Sequence, residues 1–119
     1  MLQPSDLRAG LELLQRGDAT FVISVTTFAI QRALRRDVAG FVEMMQPEHV
    51  LTRSQHMGES WHDAGQFCLA RAVSWVAGTP VFSPGAAGLD LPRSRVEDID
   101  TLEDWRRAEA LFALLQRNG

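Results

Sequence analysis

Residues 20–27 read TFVISVTT, and Phe21, Val22 and Ile23 are apolar at successive positions. A strand with one wet face alternates apolar and polar residues, so an unbroken apolar run belongs to a strand covered on both faces. The preceding stretch, residues 5–16, predicts a helix. Leu7, Leu11 and Leu14 recur at helical spacing, Ser5 stands at the capping position and Gly17 just past the end. A helix feeding a doubly covered strand is the αβ half of an α/β layer fold.

The rest of the chain is less regular. Residues 30–36 read as a short helix or turn closed by Gly40, and residues 41–55 loosen into short extended pieces around Pro47, the pattern of an arm. Residues 62–69 (HDAGQFCL) turn into a strand, and residues 71–77 form a helix punctuated by Gly78 and Pro80. Residues 81–91 are a Gly/Pro-rich loop region with two short strands, and residues 95–99 suggest a last strand. Thr101 opens the final helix, with Asp104 three residues on as an acidic capping box. Trp105, Ala108, Phe112 and Leu115 mark that helix's buried face.

Composition narrows the function classes. The chain has 119 residues, 45% hydrophobic and 23% charged, the balance of one ordinary globular domain. A lone cysteine, Cys68, makes no internal bridge and gives no reason to expect secretion. No apolar run approaches the roughly 20 residues that span a bilayer, so no membrane role and a cytoplasmic location are expected. A net charge of −3 argues against a nucleic-acid partner. All 12 basic residues are arginine. The absence of lysine excludes Schiff-base chemistry and a P-loop lysine. Arginine suits carboxylates and phosphates, although base composition of the genome produces the same skew.

Two segments carry the candidate chemistry. In VEDIDTLEDW, Asp98 and Asp100 are two apart and point the same way if the strand runs through Ile99. Paired carboxylates suit a hard cation such as Mg2+; the alternative is acid decoration at a helix N-terminus, where negative charge is favoured anyway. In RSQHMGESWHDAGQFC, Arg53 and Gln55 share a face if extended and suit a carboxylate or sugar hydroxyls, and Gly65 permits close approach to the backbone. On these residues alone, a polar edge strand with a tight turn is the favoured reading. His56, His62 and Cys68, six apart, match no usual zinc spacing.

Together the order PEHVLTRSQ, HDAGQF, a loop, a basic residue and VEDIDTLEDWRRAE resembles the C-terminal half of the acylneuraminate cytidylyltransferases. Within that family it is most similar to the branch acting on pseudaminic acid, and the stretch from QPSDL through FVISVT is similar too. The resemblance implies a nucleotide-diphospho-sugar transferase-like, Rossmann-like three-layer α/β fold with a mixed sheet. It implies that residues 1–119 form a single partial domain, with residues 41–57 as an extended dimerisation arm.

The implied activity couples CTP to a nine-carbon α-keto acid sugar, giving a CMP-sugar and pyrophosphate. Asp98 and Asp100 would be catalytic and hold Mg2+, while Arg53, Gln55, Asp63, Gly65, Gln66 and Phe67 would bind the sugar. Cys68 stands where the family usually has tyrosine. The family's nucleotide loop, of the type PARGGSKR, does not occur in the 119 residues. The expectation is therefore that the CTP-binding N-terminal half is absent and the chain is inactive alone. It would act as a homodimer or with a separate N-terminal half. The alternatives are a sialic or legionaminic acid enzyme, and a non-catalytic remnant or partner subunit.

Overall fold

The computed structural model describes residues 1–28 and 30–118, the side chain of Asn118 excepted. Along the chain run α1 (Pro4–Gln15), β1 (Phe21–Thr27), β2 (Leu34–Arg36), β3 (Val42–Met44), β4 (Trp61–Ala70), α2 (Ala72–Val76), β5 (Ala86–Asp90) and α3 (Leu102–Asn118). Single 3-10 turns occupy Ile30–Arg32, Pro47–His49, Ser54–His56 and Arg93–Arg95. The chain divides into two compact units, Met1–Thr26 with Asp63–Gly119, and Thr27–His62.

The first unit is built on a mixed α/β sheet in the order β4–β1–β5, so the apolar run sits on the central strand. β1 pairs parallel with β5 from Phe21↔Ala86 to Val25↔Asp90. Successive side chains of a strand point to opposite faces, and both faces of β1 are covered. Val22 joins Leu14 and Ala19 in a buried cluster flanked by Phe67, Leu69, Ala87 and Leu89. Gly10 of α1 lets the helix approach this face. A Cβ there would lie 3.1 Å from both Leu69 Cδ1 and Phe67 Cε2. Phe21 serves the other face, where the Trp75 ring of α2 meets it edge-on at 5.2 Å. Full burial of Phe21 and Val22 contributes roughly 1.5–3 kcal/mol each.

Several local expectations need correction. α1 starts at Pro4 with Gln3 at the cap, and Ser5 lies inside the first turn. Proline's fixed φ suits that entry, and the Asp6 carboxylate accepts the Gln3 N–H at 2.8 Å. Leu7 and Leu11 are exposed; the buried stripe is Asp6, Gly10 and Leu14, because the close-packed face is the one without a bulky side chain at its centre. Residues 34–36 are a strand, not a helix or turn, and residues 81–91 hold one strand, not two.

Residues 95–99 form no strand. Arg95 ends a 3-10 turn, and its guanidinium grips Asp6 through two bonds of 2.7 and 3.0 Å, anchoring the segment by a side chain instead of a ladder. The capping box at Thr101 is present: its N–H donates to Asp104 Oδ2 at 2.8 Å, and its Oγ1 accepts the Asp104 N–H at 3.2 Å. On α3 Ala108 is buried and Leu115 half-buried, but Trp105 and Phe112 each remain 52% exposed. The spacing identified an apolar stripe that the described residues leave mostly uncovered.

The second unit holds the antiparallel pair β2–β3, in register from Leu34↔Met44 to Arg36↔Val42, with an exposed Arg35–Glu43 ion pair at 3.0 Å. None of its described residues is buried. No helix among the described residues is long and apolar enough to cross a membrane.

The Arg95–Asp6 pair is nearly dry, with side chains 16% and 11% exposed. The Arg95 bonds hold the Asp6 carboxyl below its ordinary 3.8, against the opposing pull of burial. A depressed carboxyl stabilises the fold above its unfolded value, and that contribution is lost as pH falls through the folded value. Asp6→Asn should therefore cost about 3 kcal/mol at pH 7. In denaturant titrations the gap to the parent should close as pH drops below 3.8.

Candidate functional site

The site grows from one polar residue that interrupts the apolar run of β1. Ser24 has no solvent exposure. Its Oγ accepts the N–H groups of Gln66 and Phe67, at 3.2 and 3.1 Å, and donates to the Phe67 carbonyl at 3.1 Å. Two successive amides of β4 thus share one acceptor on β1, and the strand kinks beside them. Gly65 takes up the kink at φ +65°, a left-handed conformation that glycine adopts without a Cβ clash. The Asp63 carboxylate steadies it by accepting the Gly65 N–H at 2.9 Å.

The kink meets the second motif. A Cβ on Gly65 would lie 3.0 Å from Asp98 Cγ and 3.2 Å from either carboxylate oxygen, so the Asp98 carboxylate rests on the bare Cα. Gln66 Nε2 donates to the carbonyls of Ala64 at 3.0 Å and Glu97 at 3.2 Å, tying the two segments together. Glu97 accepts two bonds from Arg107 of α3, at 3.0 and 2.8 Å, and Arg107 also reaches Asp104 at 2.6 Å. The Thr101 hydroxyl, then the neighbouring backbone amides and Arg107, hold the Asp104 carboxyl below its ordinary value. Asp98 and Asp100 themselves are exposed, and Asp100 donates its N–H to Asp104 at 3.2 Å.

Beside the kink lies an open cleft of about 390 Å³, lined by Ile23, Asp63, Gly65, Gln66, Phe67, Cys68, Val81 and Phe82. That volume falls in the range of small-molecule sites, and apolar walls with a few polar groups are their usual make-up. The Phe67 ring packs against Gly10 in the core under α1. Cys68 is half-buried, and burial, helped by the Asp63 charge, pushes its thiol up. A protonated thiol is a poor nucleophile and an ordinary wall.

Of the residues singled out from sequence, Asp63, Gly65, Gln66, Phe67, Asp98 and Asp100 lie in the first unit, and Gly65 meets Asp98 directly. Arg53 and Gln55 lie in the second unit. Gln55 sits within a 3-10 turn that Arg53 precedes, so the segment is not extended and the alternation expected of the pair does not apply. Sequence reasoning passed over Ser24, Glu97 and Phe82. Only Ser24 carried a signal, as a hydroxyl inside an apolar run.

Among the described residues no three His, Cys, Asp or Glu side chains gather into a metal cage. Magnesium needs none, since one or two carboxylates with substrate phosphates and water complete its shell. With no strand at residues 95–99, the alternation that would point Asp98 and Asp100 the same way does not apply, and only their donor chemistry suits the ion.

No family model matches the chain. It is 31% identical over 114 residues to the pseudaminic acid cytidylyltransferase of Campylobacter jejuni serotype O:23/36, covering 94% of this chain and 49% of that enzyme. The serotype O:2 enzyme matches equally. A Helicobacter pylori protein, named pseudaminic acid cytidylyltransferase and UDP-2,4-diacetamido-2,4,6-trideoxy-beta-L-altropyranose hydrolase, is 27% identical over 111 residues, 22% of its length.

Two outcomes follow from the geometry. Ser24→Ala strands two amides and should cost about 3 kcal/mol in denaturant unfolding. Cys68 should alkylate slowly at neutral pH, and its rate should still be climbing with pH beyond the ordinary thiol value of 9.0, where an unperturbed thiol levels off. The chain spans about half the length of the Campylobacter relatives it matches, and over nearly all of its own length it is related in sequence to the pseudaminic acid cytidylyltransferases.

Proposed function

We propose that this chain is the sugar-side and metal-side part, the C-terminal half, of a cytidylyltransferase that couples CTP to a nine-carbon α-keto acid sugar, pseudaminic acid first among them. The observation that carries the reading is the meeting of HDAGQF and VEDID, with the Asp98 carboxylate on Gly65 at the edge of the cleft. The names of the relatives support the reaction class and the sugar.

In this reading the sugar's anomeric oxygen bonds to the α-phosphorus of CTP and its proton leaves. The bond from that phosphorus to the bridging oxygen breaks, and pyrophosphate departs. Bound Mg2+ offsets the charge on the phosphates. Asp98 and Asp100 would hold it, with Asp98 placed by the Gly65 kink and Asp100 by its N–H bond to Asp104. Asp63 and the backbone at Gly65 face the cleft where the sugar would lie, with Ile23, Cys68 and Phe82 as apolar wall. A thiol in place of a phenol widens that wall and removes a hydroxyl partner.

Arg53 and Gln55 would reach the sugar from the segment 41–57, acting as an arm exchanged between two copies. The unburied second unit supports that assignment, since it carries exposed Phe41, Val42, Val50 and Leu51. The overall architecture would be the three-layer nucleotide-diphospho-sugar transferase type, with a complementary polypeptide supplying the CTP loop.

A second reading, a non-catalytic partner subunit, is favoured by the exposed apolar stripe of α3. A pyrophosphate-release assay with CTP, Mg2+ and pseudaminic acid separates the two. It should be run on this chain alone and with a polypeptide spanning the remaining length of the relatives. The enzyme reading expects turnover on mixing, and at least a hundredfold loss in Asp98→Asn and Asp100→Asn, roughly what removing one preorganised charge contact costs in rate. Persistent inactivity of the folded mixture would leave the partner-subunit reading.

A further inference from the structure

Gln66 lines the cleft, and the resemblance makes it a sugar contact. Its hydrogen bonds say otherwise. A glutamine side chain has two N–H donors, and both are engaged: Nε2 donates to Ala64 O at 3.0 Å and to Glu97 O at 3.2 Å. The first closes the kink on itself, and the second crosses 31 residues to the segment that carries Asp98. The Gln66 main chain is held independently by Ser24 Oγ, so the side chain is not needed to keep β4 on β1.

Residues 96–99 have no ladder of their own. Their side-chain attachments besides Gln66 are Arg95 to Asp6 just before them and Glu97 to Arg107 within them, while Asp98 and Ile99 are exposed. The Gln66–Glu97 bond is therefore the direct link between the kink and the residue before Asp98.

We infer that Gln66 is a positioning residue, whose carboxamide clamps residues 97 and 98 to the Gly65 kink and so sets the Asp98 carboxylate for a divalent cation. Its donors are spent on the protein, not on the sugar. The cation half of this statement rests on the function proposed above; the clamp itself does not.

The test is nuclear magnetic resonance on the full chain, with Gln66→Met, which keeps the shape and removes both donors, and Gln66→Glu, which keeps the acceptors and removes both donors. In the parent, a cross-relaxation peak should join Gly65 Hα to Asp98 Hβ, given their close approach. Both variants should lose it while keeping the peaks between Gly10 and Phe67 that report an intact core. Survival of the Gly65–Asp98 peak in Gln66→Met overturns the clamp. If that variant fails to fold, the same reading is taken from Gln66→Glu.

Titration with Mn2+ alone supplies the second readout. Paramagnetic broadening at Gly65 and Asp98 should need at least tenfold more Mn2+ in Gln66→Met than in the parent, which a merely structural glutamine would not produce. An unchanged half-saturation overturns the cation half. No broadening in the parent overturns the cation half for the chain alone, and the cross-relaxation peak still decides the clamp.

Discussion

A single buried hydroxyl organises the first unit. Ser24 lies in the buried part of β1 and has no contact with water, so leaving its oxygen without partners in the protein would be costly. It finds three bonds, all on Gln66 and Phe67. Because one oxygen satisfies two consecutive amides, β4 cannot run straight past it. The kink falls on Gly65, the one residue type that takes φ +65° without a side-chain clash, and the bare Cα leaves room for Asp98. The kink, and the room it leaves for Asp98 beside the cleft, thus follow from one hydrogen-bonding demand inside a strand buried on both faces.

A second constraint comes from the irregular loop after Arg95. A loop without ladder bonds needs side-chain anchors to present a carboxylate reproducibly, and three are present. Arg95 ties its start to α1, Gln66 ties its middle to β4, and Arg107 with the Thr101–Asp104 box ties its end to α3. The first of these, the nearly dry Arg95–Asp6 pair, is costly to break, which suits a loop whose job is position. Elsewhere the same unit leaves apolar side chains in water: Leu102, Trp105 and Phe112 on α3, Val73 and Val76 on α2. That is the surface which the proposed complementary half would bury.

Legibility in the sequence followed the range of the cause. The central strand, the capping box of α3 and the turns at Gly17 and Gly78 rest on neighbours a few residues apart, and each was readable from its own segment. The strand expected at residues 95–99 was not there, because its alternating pattern is equally satisfied by a loop whose anchors, Asp6 and Arg107, are distant in sequence. The leucine stripe of α1 misled for the opposite reason. Leu7 and Leu11 look like core, yet the helix packs through Gly10, whose signal is the lack of a side chain. Arg53 and Gln55 were paired on the assumption of extended backbone, and a 3-10 turn removed the geometry behind the pairing.

What the sequence alone determined is the chemistry available: a doubly covered strand, two aspartates two apart, a glycine beside a glutamine, and arginine as the only strong cation. Those follow from residue type and short spacing, which need no fold to be read. Tertiary structure decided which of them meet. Gly65 and Asp98 are 33 residues apart in the chain and touch because Ser24 bends one strand and three side-chain anchors hold the other segment against it. Contacts of that separation depend on hydrogen-bond partners supplied by other elements, and no local pattern encodes which partner a buried hydroxyl or a glutamine amide will take.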